Sequence, residues 1–148
     1  MAKNDQLWKA ASILVSETKT AVLTTSSNIG HPHATWMNAL ADSLMEKVIA
    51  ITAPHTQKAA NLRENPHSEW MFASSSMESM VYLSGPTDIV IGEEALRYWH
   101  SMPGKAKAPY HNYSPSENPE DFAVLCTRVQ KVIYCRPPGY HKTVVHEL

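Results

Sequence analysis

Two polar side chains near the middle of the chain could bind an anion. Thr56 and Lys58 carry a hydroxyl and an ammonium group two positions apart, at the predicted start of a helix over residues 57–64. The first turn of a helix has unpaired backbone N–H groups and a partial positive charge, which together favour a phosphate or another anion. The same residues would also fit an ordinary helix cap with a solvated lysine, and the local pattern leaves both interpretations open.

The elements on either side of Thr56 are predicted from their composition. Residues 47–52 contain a short apolar run rich in β-branched residues, which favours a strand, and Pro54 ends it. The helix stops at Asn65-Pro66, because the residue before a proline is pushed out of the helical region. The candidate anion site therefore lies on a turn between a buried strand and a short helix.

Strands dominate the rest of the chain. We predict a first helix near the N-terminus, strands at 20–25, 31–38, 69–73, 79–91 (interrupted at Gly85-Pro86) and 122–135, a helix at 93–101, a long ordered loop at 102–119, and a tail at 136–148 in which residues 143–145 could add a strand. Six strands joined by short turns indicate a mainly β fold, an antiparallel barrel with appended helices. Residues 1–148 are predicted to form one domain, with the barrel over about residues 18–135.

Composition and charge exclude several classes of protein. A hydrophobic content of 43%, 18% charged residues and a net charge of −1 are ordinary for a globular protein, and they give no argument for binding nucleic acid or an anionic membrane. No stretch approaches the roughly 20 apolar residues of a membrane span, and the N-terminus lacks the pattern of a signal peptide. We therefore expect a cytoplasmic protein. Neither of the usual glycine-rich nucleotide-binding motifs is present.

The cysteines and the paired histidines do not predict a metal site. Cys126 and Cys135 are too few for a disulfide framework or a zinc site, and small core residues are the simpler interpretation. His31 and His33 would face the same way on a strand, but no third ligand is spaced to join them.

The aromatic residues mostly predict core packing. Trp36 and Met37 are adjacent on a predicted strand, so they point to opposite faces and one of them should lie in the core. Trp70 and Phe72 share a face, and we expect both to fill the barrel.

Several short motifs follow one another in a distinctive order. They are Gly30-His31-Pro32-His33, Ile51-Thr52, residues 56–66 (TQKAANLRENP), Val81-Tyr82-Leu83-Ser84-Gly85, Trp99, and residues 118–125 (NPEDFAVL). No single motif is specific, but their order and spacing over roughly residues 5–135 resemble the pyridoxamine 5′-phosphate oxidase-like family of FMN-binding split barrels. The general-stress-protein branch of that family is the most similar.

The resemblance implies a six-stranded split barrel that dimerises, with FMN bound in clefts at the subunit interface. Lys58 would contact the FMN phosphate with help from Thr56 and Gln57, and Thr52 would lie near the phosphate or the ribityl chain. The family pattern places further cofactor contacts on the second strand, and on aromatic residues that close the cleft from the partner subunit. By resemblance these are Thr35, Trp36, Met37 and Asn38 along the flavin, and Trp99, Tyr110 and Tyr113 as the closing aromatics.

Departures from the family pattern narrow the implied function. Family members that oxidise pyridoxine phosphate have basic residues where this chain has Thr35 and Gln57, and residues 136–141 do not match their substrate-binding C-terminal segment. Oxidation of pyridoxine phosphate is therefore not expected, and no residue is predicted to be a general acid or base.

The function implied by the resemblance is electron transfer through bound FMN. We expect an oxidoreductase that takes electrons from a nicotinamide, NAD(P)H, and passes them to a small acceptor. One alternative is a non-enzymatic flavin-binding protein with a stress-related or redox-sensing role. Another is a split-barrel protein that holds haem or a deazaflavin in the same cleft.

Overall fold

The computed structural model describes residues 5–102, 122–139 and 141–148 of the 148-residue chain. Three helices and nine strands lie in these ranges. In chain order they are α1 (Asp5–Glu17), β1 (Thr20–Ser26), β2 (Pro32–Asn38), β3 (Leu40–Ala41), β4 (Lys47–Thr52), α2 (Gln57–Glu64), β5 (His67–Ala73), β6 (Met80–Val90), α3 (Gly92–Ser101), β7 (Ala123–Arg128), β8 (Lys131–Arg136) and β9 (His141–Glu147). Within the described ranges, no helix has the length and apolar character needed to cross a membrane.

The strands form one curled antiparallel sheet. Its order is β2-β1-β5-β6-β7-β4-β3, and β8 pairs with β6 and with β9. Every pair is antiparallel, and the sheet closes into a half-barrel, so the predicted mainly β, antiparallel split-barrel fold is confirmed. The edge strand β3 has only two residues, which limits the backbone left unpaired at that edge.

Three strand predictions are corrected by the structure. The strand predicted over residues 122–135 is two strands, β7 and β8, separated at Val129-Gln130. The strand considered possible at residues 143–145 of the tail is present and longer, from His141 to Glu147, because β9 pairs along the whole of β8. A two-residue strand that the sequence did not predict, β3, follows β2 and pairs with β4. Consequently Cys126 and Cys135 lie on different strands, and both are buried free thiols.

Strand β6 is continuous where the sequence predicts an interruption at Gly85-Pro86. Its first half pairs with β8 and its second half with β7, so the strand changes partners at Gly85. A Cβ atom at position 85 would collide with the backbone carbonyl of Arg128. The glycine is therefore required by the close approach of the β7–β8 connection, where the Gln130 N–H donates to the Ser84 carbonyl at 2.8 Å.

The main hydrophobic core lies on the inner face of the half-barrel, which α1 covers. Trp70 and Phe72 are fully buried there, as predicted, together with Leu23, Leu83 and other residues of the sheet and of α1. The indole of Trp70 donates a 2.8 Å hydrogen bond to Thr127 Oγ1. That hydroxyl is joined to two others, Thr87 Oγ1 at 2.7 Å and, from Thr87, Ser68 Oγ at 2.6 Å, so the buried polar atoms satisfy one another.

A second, smaller core lies on the opposite face of β4 and β7. Helix α3 packs there through Ala95 and Trp99, against Phe122 and Val124. The rings of Trp99 and Phe122 are 5.0 Å apart between centroids. The sheet is therefore covered on its inner face by α1 and α2 and on part of its outer face by α3.

Candidate functional site

The turn between β4 and α2 is held in a fixed shape by three hydrogen bonds. Thr56 is the N-cap, and its Oγ1 accepts from the Ala59 N–H at 3.4 Å and donates to the Ala53 carbonyl at 3.2 Å. The Arg63 guanidinium, about two helical turns after Thr56, donates to the Pro54 carbonyl at 2.8 Å. The Thr56 hydroxyl is thus used by the cap itself, and it shapes the start of the helix rather than projecting from it.

Lys58 is the cation at this helix start. Its side chain is half-buried, and desolvation by burial lowers the pKa of its ammonium group from the usual 10.5. No carboxylate among the described residues pairs with it, and no acidic residue lies in the first turn of α2. A partly desolvated, unpaired ammonium next to the positive end of a helix is stabilised by a bound anion.

Gln57 belongs to a polar chain that the sequence alone did not indicate. Its Nε2 donates to Asn61 Oδ1 at 2.8 Å, and Asn61 Nδ2 donates to Thr25 Oγ1 at 3.1 Å. Asn61 is 2% exposed, and Thr25 is also buried. The one signal in the sequence was an asparagine inside a short helix, four residues after Gln57, where asparagine is a poor helix former.

The four residues predicted to lie along the flavin on β2 are divided between the two faces of the sheet. Thr35 and Met37 lie opposite Leu23 and Ala21, on the inner face, and Met37 is buried in the core. Trp36 and Asn38 lie on the outer face, where Trp36 is 67% exposed. The prediction that one of Trp36 and Met37 is a core residue is confirmed, and a single flavin ring cannot contact all four side chains.

Thr52, at the end of β4, is buried and lies opposite Ala123 of β7. It lies at the end of β4, just before the turn at which α2 begins. Trp99 is different, because its ring is 1% exposed and packs within this chain. So little exposed surface does not allow Trp99 to reach a cleft in another subunit, and we correct that prediction. Tyr110 and Tyr113 lie outside the described residues.

A row of apolar side chains crosses the outer face of the sheet. Starting from Trp36 on β2, each residue lies directly opposite the next on the neighbouring strand. The row is Trp36, Val22, Met71, Tyr82, Ile133 and Val144, and at about 4.8 Å per strand it is roughly 24 Å long. Each of these side chains is exposed or half-buried, and no described helix packs on the row.

No cluster of metal-ligating side chains occurs in the described part of the chain. His31 is exposed, and His33 lies opposite Thr25 at the start of β2. The structure therefore brings together a turn with a half-buried lysine, a buried amide–hydroxyl chain, and the start of strand β2. These groups can bind a small anion but supply no metal site of their own.

Comparison with known families gives one match. The sequence model for pyridoxamine 5′-phosphate oxidase matches residues 7–136, most of the chain. No curated protein gives a sequence match.

Solved structures with the same fold are named for different cofactors, FMN in one case and haem in another. A Clostridium acetobutylicum protein related to general stress protein 26, of the pyridoxinephosphate oxidase family, has a TM-score of 0.78 at 16% identity, covering 97% of this chain and 96% of that one. A pyridoxamine 5′-phosphate oxidase-related, FMN-binding protein from Nostoc punctiforme has a TM-score of 0.66 at 10% identity, covering 94% and 92%. A haem-binding protein from Mycobacterium smegmatis has a TM-score of 0.73 at 21% identity, covering 99% of this chain but 60% of that one.

Proposed function

The chain belongs to the pyridoxamine 5′-phosphate oxidase family, and from this we propose that it binds FMN and acts as a flavin-dependent oxidoreductase. The observation that carries the proposal is Lys58, a half-buried ammonium with a lowered pKa and no described carboxylate partner, at the start of α2. A dianionic phosphate would restore the electrostatic stabilisation that burial removes from this group.

The described residues fit a phosphate-bearing flavin. Lys58 and the free backbone N–H groups of the first turn of α2 would hold the phosphate, and Thr52 lies immediately before that turn. Thr35 is the one half-buried polar side chain on the inner face of β2 among the four predicted to lie along the flavin. When bound, FMN supplies hydride or single-electron transfer, and the protein binds the cofactor and orients it.

Electron transfer from NAD(P)H to a small acceptor is the reaction class that this arrangement supports best. Among the described residues no carboxylate forms an ion pair with Lys58, and we assign no general acid or base to the site. Oxidation of pyridoxine phosphate is disfavoured, because the two positions that carry basic residues in that enzyme are Thr35 and Gln57, and the Gln57 amide is bonded to Asn61. Lys58 is therefore the cation that we assign to the phosphate, whereas the Arg63 guanidinium is bonded to the Pro54 carbonyl of the same turn.

The test is a visible absorption spectrum of the purified chain before and after adding FMN, followed by NADH or NADPH without oxygen. We expect a flavin spectrum at about one FMN per subunit, and bleaching by one nicotinamide at a rate useful for turnover. Binding without bleaching would favour the non-enzymatic flavin-binding role. A colourless protein that retains no FMN would refute the proposal.

Haem is the competing cofactor, because one solved structure with this fold is named as a haem-binding protein. A haem spectrum on purification, altered by replacing His31, His33 or His55, would favour it over FMN. Riboflavin without a phosphate is the control ligand, since it tests the ring site without the anion site.

We propose in addition that two copies of the chain form a homodimer, with the flavin between them. The support is the apolar row on the outer face of the sheet, from Trp36 to Val144, which a second copy of the same face could cover. Trp36 and Asn38, two of the residues expected beside the flavin, lie on this face. A cofactor between subunits would then contact β2 from the partner's side as well.

A further inference from the structure

We propose that Asn61 is a positioning residue that fixes the phosphate-binding start of α2 on the β1–β2 hairpin. This inference rests on the proposed function, because it concerns the same phosphate. Asn61 itself would not touch FMN; it would set where Lys58 and the first-turn N–H groups stand relative to strand β2.

Asn61 is a buried residue whose side-chain amide is tolerated in the helix because it is hydrogen-bonded. A buried amide is costly unless it is paired, and asparagine inside a helix is less favourable than alanine. Both ends of this amide are paired, with Gln57 Nε2 at 2.8 Å and with Thr25 Oγ1 at 3.1 Å. The two bonds offset a residue choice that would otherwise weaken the helix.

The two bonds connect two different parts of the proposed site. Gln57 is the first residue of α2 and precedes Lys58, so the first bond fixes the turn that holds the phosphate. Thr25 belongs to β1 and lies directly opposite His33, at the start of β2, two residues before Thr35. The chain from Gln57 through Asn61 to Thr25 therefore spans from the phosphate end of the site to the strand expected to lie along the flavin.

A purely structural role for the same hydrogen bonds makes a different prediction. If these hydrogen bonds only stabilise the fold, their loss lowers the melting temperature and weakens the binding of every flavin equally. If these hydrogen bonds position Lys58 and the first turn of α2, their loss reduces the preference for FMN over riboflavin, because riboflavin has no phosphate to misplace.

The experiment measures the affinity of the full chain for FMN and for riboflavin by quenching of flavin fluorescence. The variant Thr25→Val removes the hydroxyl at nearly constant shape, and Thr25→Ser retains it. Thr127→Val is the matched control, since it also removes a buried threonine hydroxyl from a hydrogen-bonded network, but one that includes no residue of α2. Gln57→Ala removes the hydrogen bond at the exposed end of the Gln57–Asn61–Thr25 network. It therefore tests the same connection if Thr25→Val does not fold.

We expect Thr25→Val and Gln57→Ala to reduce the ratio of FMN affinity to riboflavin affinity about threefold to tenfold, the loss expected from one misplaced charge-assisted contact. Thr25→Ser should restore the ratio, and Thr127→Val should leave it unchanged. Wild-type preference for FMN with an unaltered ratio in both test variants would overturn the inference and leave the proposed function intact. Equal affinity of the wild-type protein for the two flavins would instead show that α2 does not bind the phosphate, and it would refute this inference as well.

Discussion

Trp36 and Val22 lie directly opposite each other on neighbouring strands, with both side chains on the outer face of the sheet. The indole is 67% exposed, and it begins the apolar row that continues over six strands to Val144. Exposed apolar rows of this length are uncommon on monomers, because burying them is favourable wherever a complementary surface exists.

Val144→Lys should shift the protein from dimer to monomer. Val144 is 45% exposed at the far end of the row from β2, so the substitution leaves the strand expected beside the flavin unchanged. An unpaired ammonium in an apolar interface should raise the dimer dissociation constant about a hundredfold or more. Light scattering over a concentration series measures the shift.

Leu44→Lys is the matched control for that substitution. Leu44 is a large apolar residue, 54% exposed, on the turn before β4 and outside the row. The Leu44→Lys substitution should leave the dimer dissociation constant unchanged. A wild-type protein that stays monomeric at high concentration while still holding FMN would show that the outer face is not the interface.

The fold was predictable wherever local pattern and tertiary structure agree. The Thr56 cap, the stop at Asn65-Pro66 and the first two strands depend on residues close in sequence, and all were placed correctly. Strand β9 was predicted only over residues 143–145, because its full length depends on its pairing with β8 and its own sequence, HKTVVHE, has only a short apolar run. The continuity of β6 through Gly85-Pro86 likewise depends on a neighbour, strand β5, which pairs with both residues.

The candidate site was predictable in part, for the same reason. Lys58 and the helix start can be found from the order of residues along one segment. The role of Asn61 cannot, because its partner Thr25 lies 36 residues away and pairs with it only in the folded chain. Trp99 was misassigned because the sequence does not show whether an aromatic residue beside a loop packs on its own sheet or projects from it.

Lys58→Ala should weaken FMN binding by about 1.5–3 kcal/mol, the value of a charge-assisted hydrogen bond to phosphate. Riboflavin binding should change little, because that ligand has no phosphate. Isothermal titration with each flavin measures both affinities. Lys58→Arg retains the charge and should recover most of the loss, whereas equal FMN affinity in all three proteins would remove Lys58 from the site.

FMN binding should depend on pH at both ends of the range. Burial lowers the pKa of the Lys58 ammonium below its usual 10.5, and a bound dianion raises that pKa again, so binding takes up protons at alkaline pH. Affinity should therefore be full below the pKa of Lys58 in the free protein and fall as the pH rises through it. Below about pH 6 affinity should also fall, because the phosphate loses its second charge.

The alkaline limb of that profile can be assigned by substitution. In Lys58→Arg the limb should move to higher pH, since a guanidinium keeps its charge above pH 12 or so. Riboflavin should show neither limb. An alkaline limb that is unchanged in the arginine variant would mean that another group controls it.

Thr127→Val should lower the free energy of unfolding by about 1–3 kcal/mol, because it leaves the buried Trp70 indole N–H without its acceptor. The Thr87 hydroxyl loses a 2.7 Å partner in the same substitution, while the volume of the side chain is nearly unchanged. Thr127→Ser keeps the acceptor and should lose less stability. Urea unfolding with a constant m-value measures both variants. If valine were as stable as threonine here, the three hydroxyls would contribute no net stability, and Trp70 would be held by its apolar contacts alone.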